Sequence, residues 1–325
     1  MSVIVLVEHT AGTIKKKSLE AVQYASEIAK KLGTTATAVI AGKVEETELK
    51  NLGGYGAQKV LYVADDRLNE LHARAFTRVL VAAAKQENSP IIVALHDVNG
   101  RAIAPRVAIQ LKAGLISGAL SYPDTDKGFI VKKSAFSGKA FAFVNVNSDV
   151  KVILLAPNSF PLVKADGEAV IENFNVSFED KDFGIKVKSV DVITGEVPLS
   201  DAELVVSGGR GMKGPENWGL IEDLAHALGA ATACSRPVAD SGWRPHHEHV
   251  GQTGGTIRPN LYIAAGISGA IQHLAGVSGS KTIVVINKDP EAPFFKAANY
   301  GIVGDVMEVL PRLTEAVKKF KAEHH

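Results

Sequence analysis

The sequence predicts an α/β protein of two domains. Residues 1–195 form an N-terminal parallel α/β sheet with an antiparallel extension, and residues 196–325 a C-terminal doubly wound, Rossmann-like domain. Three observations carry this. Short, mostly β-branched apolar runs alternate with helically spaced segments in the first half, the pattern of a parallel sheet covered by helices. That rhythm breaks near residue 114 and restarts after residue 201. A chain of 325 residues is also long for one hydrophobic core.

In chain order, residues 3–7, 35–40, 59–63 and 90–94 read as buried strands. Residues 18–32, 69–85 and 101–112 between or after them read as helices. Residues 129–133, 139–146, 150–155, 169–178 and 185–192 then read as strands without long helices between them. Phe141, Phe143 and Asn145 alternate with Ala142, Val144 and Val146, a stripe typical of antiparallel pairing. Residues 195–201, GEVPLSD, are the expected linker. Beyond it, residues 203–207, 261–265 and 281–287 read as strands, with residues 216–228 and 305–320 as helices. Another strand is expected to end at residues 233–236, and residues 318–325 to be a frayed helix end.

Composition narrows the function. With 46% hydrophobic and 22% charged residues the chain is an ordinary globular protein, and its net charge of +1 without a basic block argues against nucleic acid. The single cysteine, Cys234, excludes an intrachain disulfide framework and a multi-cysteine metal cluster. The apolar opening stops at Glu8, too short to span a bilayer, so no membrane insertion is expected. A bacterial cytoplasmic location is the expectation, or the mitochondrial matrix for a processed form.

Residues 251–273, GQTGGTIRPNLYIAAGISGAIQH, are the most informative stretch. An apolar strand ends in Gly266-Ile267-Ser268-Gly269 and leads into a helix-compatible run from Ala270 through Ile271, Gln272 and His273. Strand, glycine turn and helix start make an anion site, because the first helical N–H groups lack internal partners. Ser268 can cap that helix or bind a phosphate, while Gln252, Thr253 and His273 add polar groups of little bulk. Upstream, Gly209, Gly211 and Gly214 match GxGxxG after a strand and before a helix. The next strand ends in Ser235-Arg236 rather than in an acid, which keeps an NADP-dependent oxidoreductase open as a rival; a plain tight turn is the structural alternative.

Other motifs weigh less. Cys234 has no hydrolase-type histidine motif beside it and reads as a small buried residue. His246-His247-Glu248-His249 lacks the i, i+4 spacing of a helical zinc motif and reads as a solvated loop. Residues 276–282 imitate a P-loop but lead into a strand. Asn287 ends a strand where it can read an adenine edge or a ribose hydroxyl, and Asp305 is an N-cap or a ribose ligand.

The motifs SGGRG (207–211), ENW (216–218), SRPVADSGW (235–243), VGQTG (250–254), LYIAAGISGAIQHLAG (261–276) and INKDPEAPFF (286–295) together resemble the electron transfer flavoprotein alpha subunit. The first domain is similar more loosely, through its opening strand and RAIAPRVA at 101–108. This resemblance implies one FAD in the C-terminal domain and a beta-subunit partner carrying AMP. It further implies electron transfer from flavin dehydrogenases, such as those acting on acyl-CoA, to a quinone oxidoreductase. By motif, Arg210, Ser235, Arg236, Val250, Gly251, Gln252 and Thr253 would contact FAD, as would Gly266 to His273. Asn287, Asp305 and Val306 would hold its adenosine end. Arg236 would lie against the isoalloxazine, Thr253 near N5, His273 near O2, and the turn at Ser268, Gly269 and Ala270 at the pyrophosphate. Arg236 and His273, tuning residues rather than catalysts, would favour the negative charge that single-electron reduction places on the ring. Two departures stand out: Pro245-His246-His247-Glu248-His249 replaces the more usual Pro-Asn-Asp-x-Gln, and Gly214-Pro215 a Ser-Gly. Nitrogen-fixation-linked and electron-bifurcating relatives share much of this site, and a nucleotide-sensing module without redox chemistry is the remaining alternative.

Overall fold

The computed structural model describes residues 1–138, 140–189, 198–199 and 201–324. It divides into two compact units, Met1–Val190 and Asp191–His325. The predicted linker, residues 195–201, lies mostly outside the described residues.

The first unit holds strands β1 (Ser2–Leu6), β2 (His9–Thr10), β3 (Thr13–Ile14), β4 (Thr35–Ala41), β5 (Lys59–Val63) and β6 (Ile91–Leu95). They are followed by β7 (Gly114–Ala119), β8 (Ile130–Ala135), β9 (Ala140–Asn145), β10 (Lys151–Leu155) and β11 (Val170–Asn173). Its helices are α1 (Lys16–Lys31), α2 (Glu46–Asn51), α3 (Ala73–Gln86) and α4 (Val98–Leu111). β2 and β3 form a separate small hairpin. The other nine strands make one sheet in the order β11-β5-β4-β1-β6-β10-β7-β8-β9, parallel except at β7–β8 and β8–β9.

Alternation along β1 explains the two cores. Val3 and Val5 pack with Tyr24 and Ile28 of α1 on one face, while Ile4 and Leu6 pack with Val79 and Leu80 of α3 and Val107 of α4 on the other. All these residues are buried, each aliphatic side chain contributing about 1.5–3 kcal/mol relative to exposure. Asp97 starts α4 earlier than its apolar spacing suggests, its Oδ1 accepting the Gly100 N–H at 2.8 Å.

The antiparallel extension exists but is smaller than expected. Only β8 is reversed within this sheet, pairing antiparallel with β7 and β9; β10 inserts in parallel between β6 and β7, and β11 closes the opposite edge. The aromatic stripe on β9 faces outward, with Phe141 58% and Phe143 71% exposed. The strand expected at 185–192 does not form over residues 185–189, and the remainder falls outside the described residues.

The second unit comprises β12 (Leu204–Gly208), α5 (Gly219–Leu228), β13 (Ala231–Cys234), α6 (Arg236–Asp240) and β14 (Leu261–Ala265). It continues through α7 (Ile271–Val277), β15 (Thr282–Asn287), β16 (Tyr300–Val303) and α8 (Val306–His324). Its five strands are all parallel, in the order β13-β12-β14-β15-β16. Counted from β12, that is the 2-1-3-4-5 order of doubly wound folds, whose ligands sit beyond the carboxyl ends of the strands where the winding reverses. Here the reversal lies between β12 and β14. α5 and α8 cover one face through Leu224 and Leu310, and α7 covers the other through Val277. Helix α8 continues through His324, so the expected frayed end is helical.

Candidate functional site

At the reversal point three glycine turns interlock. The Gly211 N–H donates to the Gly266 carbonyl at 3.0 Å and the Gly209 N–H to Ala265 at 2.9 Å. A Cβ on Gly211 would stand 2.5 Å from Gly266 Cα, and Gly266 itself has φ +64°. The loop after Val250 packs as closely: a Cβ on Gly276 would meet Gly251 Cα at 2.4 Å. These glycines bring three backbones together around a cavity of about 460 Å³. The GxGxxG spacing therefore serves turn-to-turn packing. Its segment forms a short 3-10 turn (Arg210–Met212), and α5 begins only at Gly219, so no helix start rises from the motif as a dinucleotide fingerprint requires.

Of the predicted residues, Arg210, Ser235, Arg236, Val250, Gly251, Gln252, Thr253, Gly266, Ile267, Ser268, Ala270, Gln272, His273 and Asn287 line this cavity. Gly269, Ile271, Asp305 and Val306 do not. Gly269 sits against Phe294, Ile271 is exposed, and Val306 is buried in the core beneath α8. Asp305 instead caps α8, its Oδ1 accepting the Met307 N–H at 3.0 Å, and it pairs with Lys213 Nζ at 2.9 Å. Gly211, Pro237, His249 and Asp289 complete the lining and were not foreseen.

The turn at Ser268 differs from expectation in detail. Ala270, not Ser268, occupies the cap position of α7, and no side chain caps that helix. The Ser268 carbonyl accepts the Phe294 N–H at 3.0 Å, and Asn287 Nδ2 donates to the Ile267 carbonyl at 3.0 Å. The turn is thus held from behind. Among the described residues no acceptor serves the backbone N–H groups of Gly269 and Ala270.

Two side chains set the electrostatics. Arg236 begins α6, exposed, with Nε 3.2 Å from Asp240. Such an exposed pair is worth at most about 1 kcal/mol, so the guanidinium is free to move onto a ligand. His273 is buried and neutral, burial pushing its pKa down to about 4, with His249 adding to the fall. Its Nε2 lies 2.8 Å from the Tyr262 hydroxyl. Its Nδ1 is enclosed without a hydrogen bond of normal geometry, the Val250 carbonyl being the acceptor that acts on the ring.

The remaining motifs resolve clearly. His246–Glu248 is a 3-10 turn in which His246 and His247 are exposed, as expected, whereas Glu248 and the following His249 are buried. Glu248 is 2% exposed and binds Arg244, Oε1 to Nη2, at 2.6 Å. No cluster of three or more histidine, cysteine or acidic side chains among the described residues is placed to hold a metal. Cys234 is fully buried, and burial pushes its thiol up to about 12. Among the described residues no helix is long and apolar enough to cross a membrane.

The residues present suit a flavin nucleotide. Orphaned backbone donors at the Ser268 turn match phosphate oxygens, the unpaired Nδ1 of His273 matches a ring carbonyl, and Arg236 matches a ring that gains negative charge.

A doubly wound α/β domain with a largely apolar cavity, edged by a few polar groups, at its winding reversal defines a nucleotide-binding protein by class. Comparison with known proteins then fixes the family. Residues 198–278 match the electron transfer flavoprotein FAD-binding domain, and residues 3–179 the electron transfer flavoprotein domain. The chain is 38% identical over 316 residues to the electron transfer flavoprotein subunit alpha of Syntrophomonas wolfei, covering 97% of this chain and 98% of that protein. It is 38% identical over 319 residues to the corresponding subunit of Bacillus subtilis, covering 98% and 97%. Protein FixB of Clostridium saccharobutylicum is 36% identical over 322 residues, covering 97% and 96%. This chain belongs to the electron transfer flavoprotein alpha-subunit family.

Proposed function

We propose that this chain is the FAD-carrying alpha subunit of a heterodimeric electron transfer flavoprotein. It would accept electrons from flavin dehydrogenases, such as those acting on acyl-CoA, and pass them singly to a quinone oxidoreductase. The observation that supports this most is the cavity beyond the ends of β12 and β14, lined by Arg236, Thr253, His273 and the turn at Ser268. Bound FAD would supply a reversible one-electron centre; the chain's residues hold it and tune it. Gly269 and Ala270 would donate backbone N–H groups to the pyrophosphate, with Asn287 keeping the turn in place. Asp305, outside the cavity lining, would address the adenosine end, whereas Val306 is buried in the core. Arg236 would supply positive charge to the ring. His273 would donate from Nδ1, the ring nitrogen without a well-formed protein partner, while remaining uncharged. Thr253 would address N5.

The partner would be a beta subunit, as the subunit names of the relatives suggest, and AMP would belong to that partner by family resemblance alone. Phe136, Phe141 and Phe143, exposed on the edge hairpin of the first unit, offer an apolar surface for a partner to cover. The domain limits of 1–195 and 196–325, and a cytoplasmic or matrix location, belong to the same reading.

An anaerobic dithionite titration of the heterodimer, followed by absorbance, tests it. One FAD reduced in two resolved one-electron steps is the expected result. A second flavin, or direct reduction by NADH, favours a bifurcating role. NADPH oxidation without a partner protein would favour the NADP-dependent oxidoreductase.

A further inference from the structure

His249 stands where the family pattern has a glutamine, and it lines the cavity beside Arg236 and His273. Its ring is pinned. The Cβ of a residue at 254 would stand 2.8 Å from His249 Nδ1, and Gly251 brings its backbone up to Nε2. The backbone is tied as well, the His249 N–H donating to His246 at 3.1 Å and its carbonyl accepting from Gly255 at 2.8 Å. The residue is 8% exposed, yet no described residue hydrogen-bonds its ring. A closely packed, nearly buried imidazole without a hydrogen-bond partner among the described residues, facing a ligand cavity, is placed to serve the ligand.

We propose, resting on the FAD reading above, that His249 contacts the flavin and takes up a proton when the cavity gains an electron. The balance is simple. One electron comes from the donor protein and one proton from solvent; an N–H bond forms on the imidazole as an O–H bond of hydronium breaks and releases water.

The surrounding charges set the starting state. Burial holds His249 below the usual histidine range; Asp240 of α6 opposes this, while Arg236 of α6 and His246 of its own turn add to it. His273 of α7 also faces it and stays neutral. The ring is therefore uncharged beside the oxidised cofactor, and an added negative charge shifts its proton equilibrium upward. The family's glutamine cannot do this, since an amide does not titrate near neutrality.

The test uses the heterodimer with FAD bound, as wild type and as His249→Gln. The potential of the first electron is measured from pH 5 to 9. Histidine ring resonances of the wild type are titrated in the oxidised and the singly reduced states. An electron added without a proton leaves the potential flat with pH. The proposal expects a wild-type potential that falls as pH rises through the His249 titration, and a flat one in the variant. It also expects His249 to bind its proton about tenfold more tightly or better after reduction. FAD bound normally with equal pH slopes in both proteins overturns the proposal and leaves the FAD reading intact. If the variant does not fold, a wild-type His249 resonance that titrates identically in both states overturns it alone. A heterodimer that binds no FAD removes both readings.

Discussion

The Tyr262 hydroxyl and His273 Nε2 stand 2.8 Å apart, tying β14 to α7 behind a histidine that lines the cavity. Tyr262 is fully buried and cannot ionise near neutrality, so it serves His273 only as a neutral hydroxyl. Tyr262 thus engages Nε2, while Nδ1 has no hydrogen-bond partner among the described residues. A residue named from the sequence as a donor is thereby oriented by one that was not.

This arrangement predicts an acid-sensitive domain. Folded His273 titrates near pH 4, against an ordinary value of 6.5. Above that ordinary value both folded and unfolded forms are neutral and the contribution is complete. As pH falls, the unfolded chain takes its proton first, and stability is lost until the folded ring also protonates. The loss amounts to about 3 kcal/mol between those limits. Urea unfolding of wild type and His273→Asn at pH 7 and pH 4.5 measures it; the variant should lose less, and an equal loss would remove His273 from the account.

Arg236→Ala should leave FAD bound while lowering the potential of the first electron. Among the described residues the guanidinium is tied by an exposed pair with Asp240, so its removal disturbs the fold little. Each 1.4 kcal/mol of lost stabilisation of negative charge corresponds to about 60 mV for one electron. Potentiometry on the heterodimer reads the shift, and an unchanged potential would sink the role.

Cys234 should resist alkylation in the folded protein. It has no exposed surface, and burial holds the thiol up to about 12, with Glu248 nearby adding to the effect. Iodoacetamide at pH 8 should label it only once urea unfolds the domain. Rapid labelling of the native chain would show that β13 opens.

The sequence revealed the second sheet well because its strands are buried on both faces and read as unbroken apolar runs, as in 261–265 and 281–287. β7 escaped notice because GLISGA is half-exposed and interrupted by glycine. β16 escaped because its side chains are all exposed. The position of β10 inside the parallel sheet could not be read locally, since a short strand carries no record of its neighbours. His249 was hidden differently: its run of histidines has the composition of a solvated loop, and its burial arises only when the glycines at 251 and 254 fold the following loop back over it. Its one signal was the departure from the family's glutamine.

Gly266→Ala should damage both the fold and the cavity. The residue lies at φ +64°, where an alanine costs about 1–2 kcal/mol in backbone strain. The added methyl would also stand 2.7 Å from Gly211 Cα, backbone that cannot swing aside as a side chain can. Relief requires the β12 turn and the β14 turn to part, which breaks the hydrogen bond from the Gly211 N–H to the Gly266 carbonyl. The expected loss is therefore 2 kcal/mol or more, roughly the sum of strain and one hydrogen bond. FAD retention should fall with it, because Arg210 and Ser268 flank the two turns. Gly229→Ala is the matched control: it has φ +73° and open space around it, so it bears the strain without the clash. Urea unfolding and flavin content of both variants separate the two effects. Equal losses would show that interlocked turns contribute nothing beyond backbone conformation.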